Sequence, residues 1–130
     1  MAGADGLMVM LVTSRGTGRW VLPKGWLKKN LSAPETAALE AFEEAGLVGT
    51  IDPEPIGQYS YAKQLPAGGT VACAVDIFPL HVTELLDDWP ERAQRQRGWF
   101  TLIDAAAAVI EDDLTAILLT LSTAEPFIPH

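Results

Sequence analysis

An α+β fold is what the sequence predicts, arranged as an α-β-α sandwich, and three observations carry it. The order of signals is strand, helix, several strands, helix, helix, which buries a sheet between helical layers. The apolar runs on either side of the first helix are of strand length and are punctuated by Gly and Pro. The chain has 130 residues, 48% of them hydrophobic, which suits one domain with a real core and excludes disorder. No internal repeat or linker divides it, so residues 1–130 form a single unit.

Gly6 to Thr13 (GLMVMLVT) is an apolar run of strand length, expected to be buried on both faces. Ser14 to Gly18 is a polar, Gly-containing turn, and Arg19 to Leu22 (RWVL) is the return strand. A helix follows at about Ala33 to Ala45. Ser32 and Glu35 have capping-box spacing, Pro34 stands in the first turn, and Gly46 sits where a left-handed stop belongs. Leu47 to Ile51 and Ile56 to Gln64 read as strands, separated by Asp52 to Pro55. Pro66 to Gly69 makes a turn. Thr70 to Leu85 is the longest β-rich run, bent at Pro79 because proline cannot donate to a ladder. Leu86 to Gln96 is a polar loop and Gly98 to Leu102 a short strand. Thr101 caps a helix from about Leu102 to Ile110 with Asp104 as its box partner, and Asp112 or Asp113 caps a last helix to about Leu121.

The chemistry concentrates in the first helix. Glu40, Glu43 and Glu44 stand three and four residues apart and therefore project together. Ala38, Ala41 and Ala45 lie opposite, small enough to let the helix approach a sheet closely. Three carboxylates on one face repel one another unless something offsets them, and a hard divalent cation such as Mg²⁺ takes oxygen ligands of this kind. A solvated acidic face is the commoner meaning of E-x-x-E-E alone. The glycines and the lysine-rich loop ahead of the helix shift the balance toward a metal site.

The stretch from Leu22 to Leu47 resembles the Nudix box, G-x5-E-x7-R-E-U-x-E-E-x-G-U with U bulky and aliphatic. Gly25, Glu40, Glu43, Glu44, Gly46 and Leu47 match at the required spacing, and Ala41 is a small version of the first U. Two positions depart: the first Glu is Leu31 and the Arg is Leu39. In the family these two commonly form an ion pair between loop and helix, so their joint replacement looks like an apolar contact standing in for a salt bridge. Such a paired exchange can be neutral for stability. The flanking segments, R-W-V-L-P-K-G-W and L-D-D-W-P-E-R-A-Q-R-Q-R-G-W-F, are similar to the diphosphoinositol polyphosphate phosphohydrolase branch and its bacterial relatives. The resemblance implies a mixed-sheet Nudix fold, metal ligation and catalysis by Glu40, Glu43 and Glu44, and Mg²⁺ or Mn²⁺ as cofactor. Relatives usually carry another strand ahead of Gly6, where Met1 to Asp5 stand here. Either the sheet lacks that strand or the chain starts late; an uncovered edge strand would invite pairing with another chain, and the expected state is a monomer or a homodimer.

Charge narrows the ligand. The net charge is -8, which gives no basis for nonspecific nucleic-acid binding. The nine cations are nevertheless clustered: Arg15, Arg19, Lys24, Lys28 and Lys29 in one stretch, and Arg92, Arg95 and Arg97 in another. This fits a small, highly anionic ligand met by Arg and Lys. Arg15, Arg19, Lys24, Gly25, Lys28, Arg95 and Arg97 are the expected substrate-binding residues. Trp26 either stacks on a ring of the ligand or packs over the helix start. A lone Cys73 excludes an internal disulfide and suits a reducing cytoplasm, with the thiol in the core. His81 has no second His nearby, which argues against zinc. No apolar run reaches ~18 residues, so no membrane helix is expected. The expected function is metal-dependent hydrolysis of a diphosphate linkage in a diphosphoinositol polyphosphate or a dinucleoside polyphosphate. The rival is a Nudix-fold module that binds a nucleotide or phosphorylated metabolite without turnover.

Overall fold

The computed structural model describes residues 2–3, 6–25 and 27–122. Trp26, for which two roles were open, lies outside the described residues. The elements are β1 (Ala2–Gly3), β2 (Gly6–Thr13), β3 (Trp20–Val21), α1 (Ala33–Ala45), β4 (Leu47–Ile51), β5 (Gly57–Gln64), β6 (Thr70–Ile77), β7 (Leu80–Leu85), β8 (Arg97–Thr101), α2 (Leu102–Ala108) and α3 (Asp112–Ser122).

β2 is the axis of the sandwich because its side chains alternate. Met10 and Val12 face α1 and join Val21, Ala41, Ala45 and Leu47 in one buried cluster. Leu11 faces the other way, into a cluster with Tyr59, Ala105, Ala106, Val109, Leu114 and Leu118. Successive strand residues point to opposite faces, so an all-apolar run is required where both faces are covered. β2 pairs antiparallel with β8 from Met8↔Thr101 to Val12↔Arg97, and with β3 through Val12↔Val21. β1 adds a two-residue pairing with β2 at Ala2↔Leu7.

The fold class is α+β, as expected. The strands, however, form three antiparallel groups, with β4 paired to β7 and β5 to β6. Every described pairing is antiparallel, so the parallel ladder of a mixed sheet is not among them. Where the groups meet, an apolar cavity of about 240 Å³ is lined by Met8, Met10, Leu47, Val75, Val82 and Trp99, among others. The long β run breaks at Phe78 and Pro79 into β6 and β7. Cys73, expected in the core, is half-buried on β6, because the β5–β6 pair leaves much of one face open.

α1 has both ends closed locally. The Ser32 side chain accepts from the Glu35 amide at 3.2 Å, and the Glu35 carboxylate accepts from the Ser32 amide at 2.8 Å. Gly46 takes φ +68° and returns its amide to Phe42. At α3 the expected Asp112 and Asp113 lie inside the first turn, and Glu111 precedes the helix. Asp113 instead accepts the Ser60 amide at 2.7 Å, tying α3 to β5.

Candidate active site

α1 buries Glu40 and Glu44 at 5% and 3% exposure, so the carboxylate face is an interior one rather than a solvated surface. The burial follows from the chain that crosses it. Gly25 lies directly on Glu40: a Cβ there would stand 2.4 Å from the Glu40 carboxyl carbon. Lys28 Nζ pairs with Glu40 at 3.2 Å. Arg95 pairs with Glu44 at 3.6 Å and more closely with Glu91 at 2.6 Å, and it donates to the Thr13 carbonyl at 3.0 Å. Burial is the main force raising the Glu44 pKa, to about 8, followed by a side-chain hydrogen bond with Glu40; Arg95 opposes it. Glu44 therefore favours its protonated form near neutrality, hydrogen-bonded to Glu40.

The 86–97 loop closes the C-terminal end of α1. Four successive carbonyls there receive donors from it. The Glu91 amide donates to Glu43 at 3.0 Å, Trp89 Nε1 to Glu44 at 3.0 Å, Arg97 to Ala45 at 2.8 Å and the Leu86 amide to Gly46 at 2.9 Å. The last carbonyls of a helix have no partner within it and carry partial negative charge. α1 has no basic residue in its last turn, so Arg97 from β8 supplies one. Its guanidinium stacks 3.8 Å from the centroid of the Trp89 ring. This arrangement fixes the backbone that carries Glu43 and Glu44.

The expected binding residues separate in space. Arg15 and Arg95, with Arg92, line an open polar depression of about 560 Å³ between the 13–18 turn and the 92–96 turn. Arg15 of the first cluster thus meets Arg92 and Arg95 of the second there. Arg19 is exposed and its Nε donates to Thr17 Oγ1 at 3.3 Å. Lys24 stands 4.4 Å above the Tyr61 ring centroid; burial lowers its pKa, with Glu44 and Glu111 opposing. Lys24 and Gly25 line a second recess, of about 290 Å³. Arg97, expected on the substrate, is turned instead to the α1 terminus and Trp89. The residues missed by sequence reading are Trp89, Glu91 and Glu111. The first two stand in the D-D-W-P-E-R segment, whose Trp and acidic residues amid arginines were the available signal.

Among the described residues no three His, Cys, Asp or Glu side chains converge to hold a metal ion. Lys28 and Arg95 occupy the charge-compensating positions. The donor chemistry nonetheless suits a hard divalent cation: the three glutamates offer oxygen alone, and Glu40 and Glu44 are within hydrogen-bond reach of each other.

Comparison with known proteins is consistent with this geometry. No family model matches the chain. It is 36% identical over 105 residues to Nudix hydrolase 12, mitochondrial, of Arabidopsis thaliana, covering 76% of this chain and 50% of that protein. It is 31% identical over 100 residues to diphosphoinositol polyphosphate phosphohydrolase 3-alpha of Homo sapiens, covering 75% and 57%. The chain spans about half the length of the curated relatives it matches. A solved structure from work on MutT of Aliivibrio salmonicida and Vibrio cholerae superposes with a TM-score of 0.61 at 15% identity, over 94% of this chain and 90% of that one.

Proposed function

This chain is a relative of the Nudix hydrolases and carries the Nudix fold, and from that premise we propose that it hydrolyses a diphosphate linkage in a small, phosphate-rich molecule. The observation that carries the reading is the buried Glu40 and Glu44 pair on α1, joined by a side-chain hydrogen bond and flanked by Lys28 and Arg95. Mg²⁺ or Mn²⁺, held by Glu40, Glu43 and Glu44, would supply a Lewis acid and an activated water. The chain's own residues do the rest. Glu44 would give up its proton to the solvent as a cation binds, and the Gly25 backbone lies against the Glu40 carboxylate where a side chain would displace it. Lys24, Lys28 and Arg95 neutralise phosphoryl oxygens, and Arg15 extends the positive surface into the 13–18 and 92–96 depression. A diphosphoinositol polyphosphate or a dinucleoside polyphosphate suits that surface, since both carry many charges to be met by Arg and Lys.

Cleavage of both substrates, with Mg²⁺ and with EDTA, tests the reading: inorganic phosphate is followed for the diphosphoinositol polyphosphate and nucleotide products for the dinucleoside polyphosphate. Metal-dependent cleavage is expected, and its absence for both would sink it. A binding module without turnover is the second reading, favoured by the pairing of Glu40 and Glu44 with internal cations. It predicts tight substrate binding with no release in Mg²⁺. The described residues hold no helix long and apolar enough to cross a membrane. A cytoplasmic setting belongs to the proposal, resting on the lone cysteine. Relatives named mitochondrial or chloroplastic make the location of a tagged chain its test.

A further inference from the structure

The recess that holds Lys24 and Gly25 is bounded by more than charge. Pro23, Ala37, Val75, Asp76 and Phe78 line it and also line the apolar cavity of about 240 Å³ between the strand groups, so the two spaces share a wall. Phe78 stands at the break between β6 and β7. The apolar members of the wall are half-buried, which leaves part of each open to a ligand. Among the described residues that line the cavity, Asp76 is the one charged side chain, and none is cationic. Asp76 Oδ1 accepts from Gln58 Nε2 at 2.8 Å across the β5–β6 pair, and a carboxylate so bonded keeps acceptor sites for a further donor. The cavity exceeds the volume of about 150 Å³ that suffices to take up benzene, and Phe78 and Trp99 are in its lining.

Such a wall treats the two candidate ligands differently. A diphosphoinositol polyphosphate carries phosphates around its ring, so the part that meets the wall brings charge to apolar surface and to a carboxylate, with no cation there to pair it. A nucleoside carries its charge at one end only. Its base offers a flat apolar face to Phe78 and N–H donors to Asp76. We propose that Val75, Asp76 and Phe78 form a specificity wall that receives the base of a nucleoside whose phosphates lie beside Lys24, and that the substrate is therefore a dinucleoside polyphosphate rather than a diphosphoinositol polyphosphate. That assignment rests on the proposed phosphate-binding role of Lys24, and its test does not need turnover.

Isothermal titration in Mg²⁺ compares three ligands without a cleavable anhydride: methylenediphosphonate, adenosine 5′-(α,β-methylene)diphosphate and inositol hexakisphosphate. In the wild type the nucleoside raises affinity about tenfold over methylenediphosphonate, the scale of one base stacked on an aromatic ring. Phe78→Ala removes that gain and leaves methylenediphosphonate binding unchanged. Asp76→Ala, at an exposed position, weakens the adenosine ligand and tightens inositol hexakisphosphate. Loss of a mere surface charge would tighten both anions, so shifts of the same sign overturn the proposal, even where Phe78→Ala loses every ligand by misfolding. Equal wild-type affinities for methylenediphosphonate and the adenosine ligand, or a nucleoside gain that survives Phe78→Ala, overturn it as well. Metal-dependent cleavage of the diphosphoinositol polyphosphate without a nucleoside gain would sink the wall and leave the hydrolase standing. A nucleoside gain lost in Phe78→Ala, with no substrate cleaved, would do the reverse.

Discussion

Glu44→Gln is the substitution through which stability and activity should part. Glu44 is 3% exposed, and burial with the Glu40 hydrogen bond raises its pKa from the ordinary 4.5 to about 8. An unfolded chain would titrate it near 4.5, so folding favours the protonated form. The resulting stability is complete below about pH 4.5 and is lost as the pH rises through about 8. At about 1.4 kcal/mol per pH unit, the full span is worth about 5 kcal/mol, and about 3 kcal/mol is gone by pH 7. These are ceilings, since Glu40 and Arg95 readjust as the proton leaves. Glutamine has no proton to lose and still donates to the Glu40 carboxylate. Urea denaturation in EDTA at pH 5, 6, 7 and 8 should therefore show the wild type weakening across the series while Glu44→Gln stays nearly flat. The variant should become the more stable protein at pH 8, yet lose Mg²⁺-dependent phosphate release by roughly 10²–10³. Parallel stability curves for the two proteins would refute the raised Glu44 pKa, and wild-type turnover in the variant would refute the metal assignment.

Gly46→Ala puts a side chain on a left-handed residue whose Cβ would stand 2.8 Å from Arg97 Nη1 and 3.1 Å from the Trp89 ring; thermal melts should show a loss of at least about 1–2 kcal/mol. The two arginines of the 92–97 segment should separate. Arg97→Ala costs about 1–3 kcal/mol of stability through the Ala45 carbonyl and the Trp89 stack. Arg95→Ala raises KM more for a polyphosphorylated substrate than for a nucleoside diphosphate sugar, and steady-state kinetics showing equal effects would remove Arg95 from the substrate. Leu31 and Leu39, both half-buried, should be coupled: Leu39→Arg destabilises alone and Leu31→Glu recovers part of the loss. Additive effects in that double-mutant cycle would dissolve the proposed pairing.

What was legible in the sequence was what short-range chemistry decides. The bounds of α1, Ala33–Ala45, follow from Ser32, Glu35, Pro34 and Gly46, whose partners lie within a few residues. The unbroken apolar run of β2 announced burial on two faces, and Met10, Val12 and Leu11 divide between the two clusters accordingly. The glutamate spacing placed three carboxylates on one helix, and the uneven cations placed Arg15 and Arg95 on a common depression. Tertiary structure decided what those groups face. Glu40 and Glu44 read as a surface from spacing alone; Gly25, Lys28 and the 86–97 loop cover them. Arg97 read as a ligand for phosphate and is held instead by the Ala45 carbonyl, 52 residues away. Glu111 carried no signal at all, because the burial that leaves its Oε1 without a hydrogen-bond partner is set by tertiary packing. A hydrogen bond three residues long leaves its pattern in the chain, whereas the dielectric and the charges around a carboxylate are set by whichever elements pack over it.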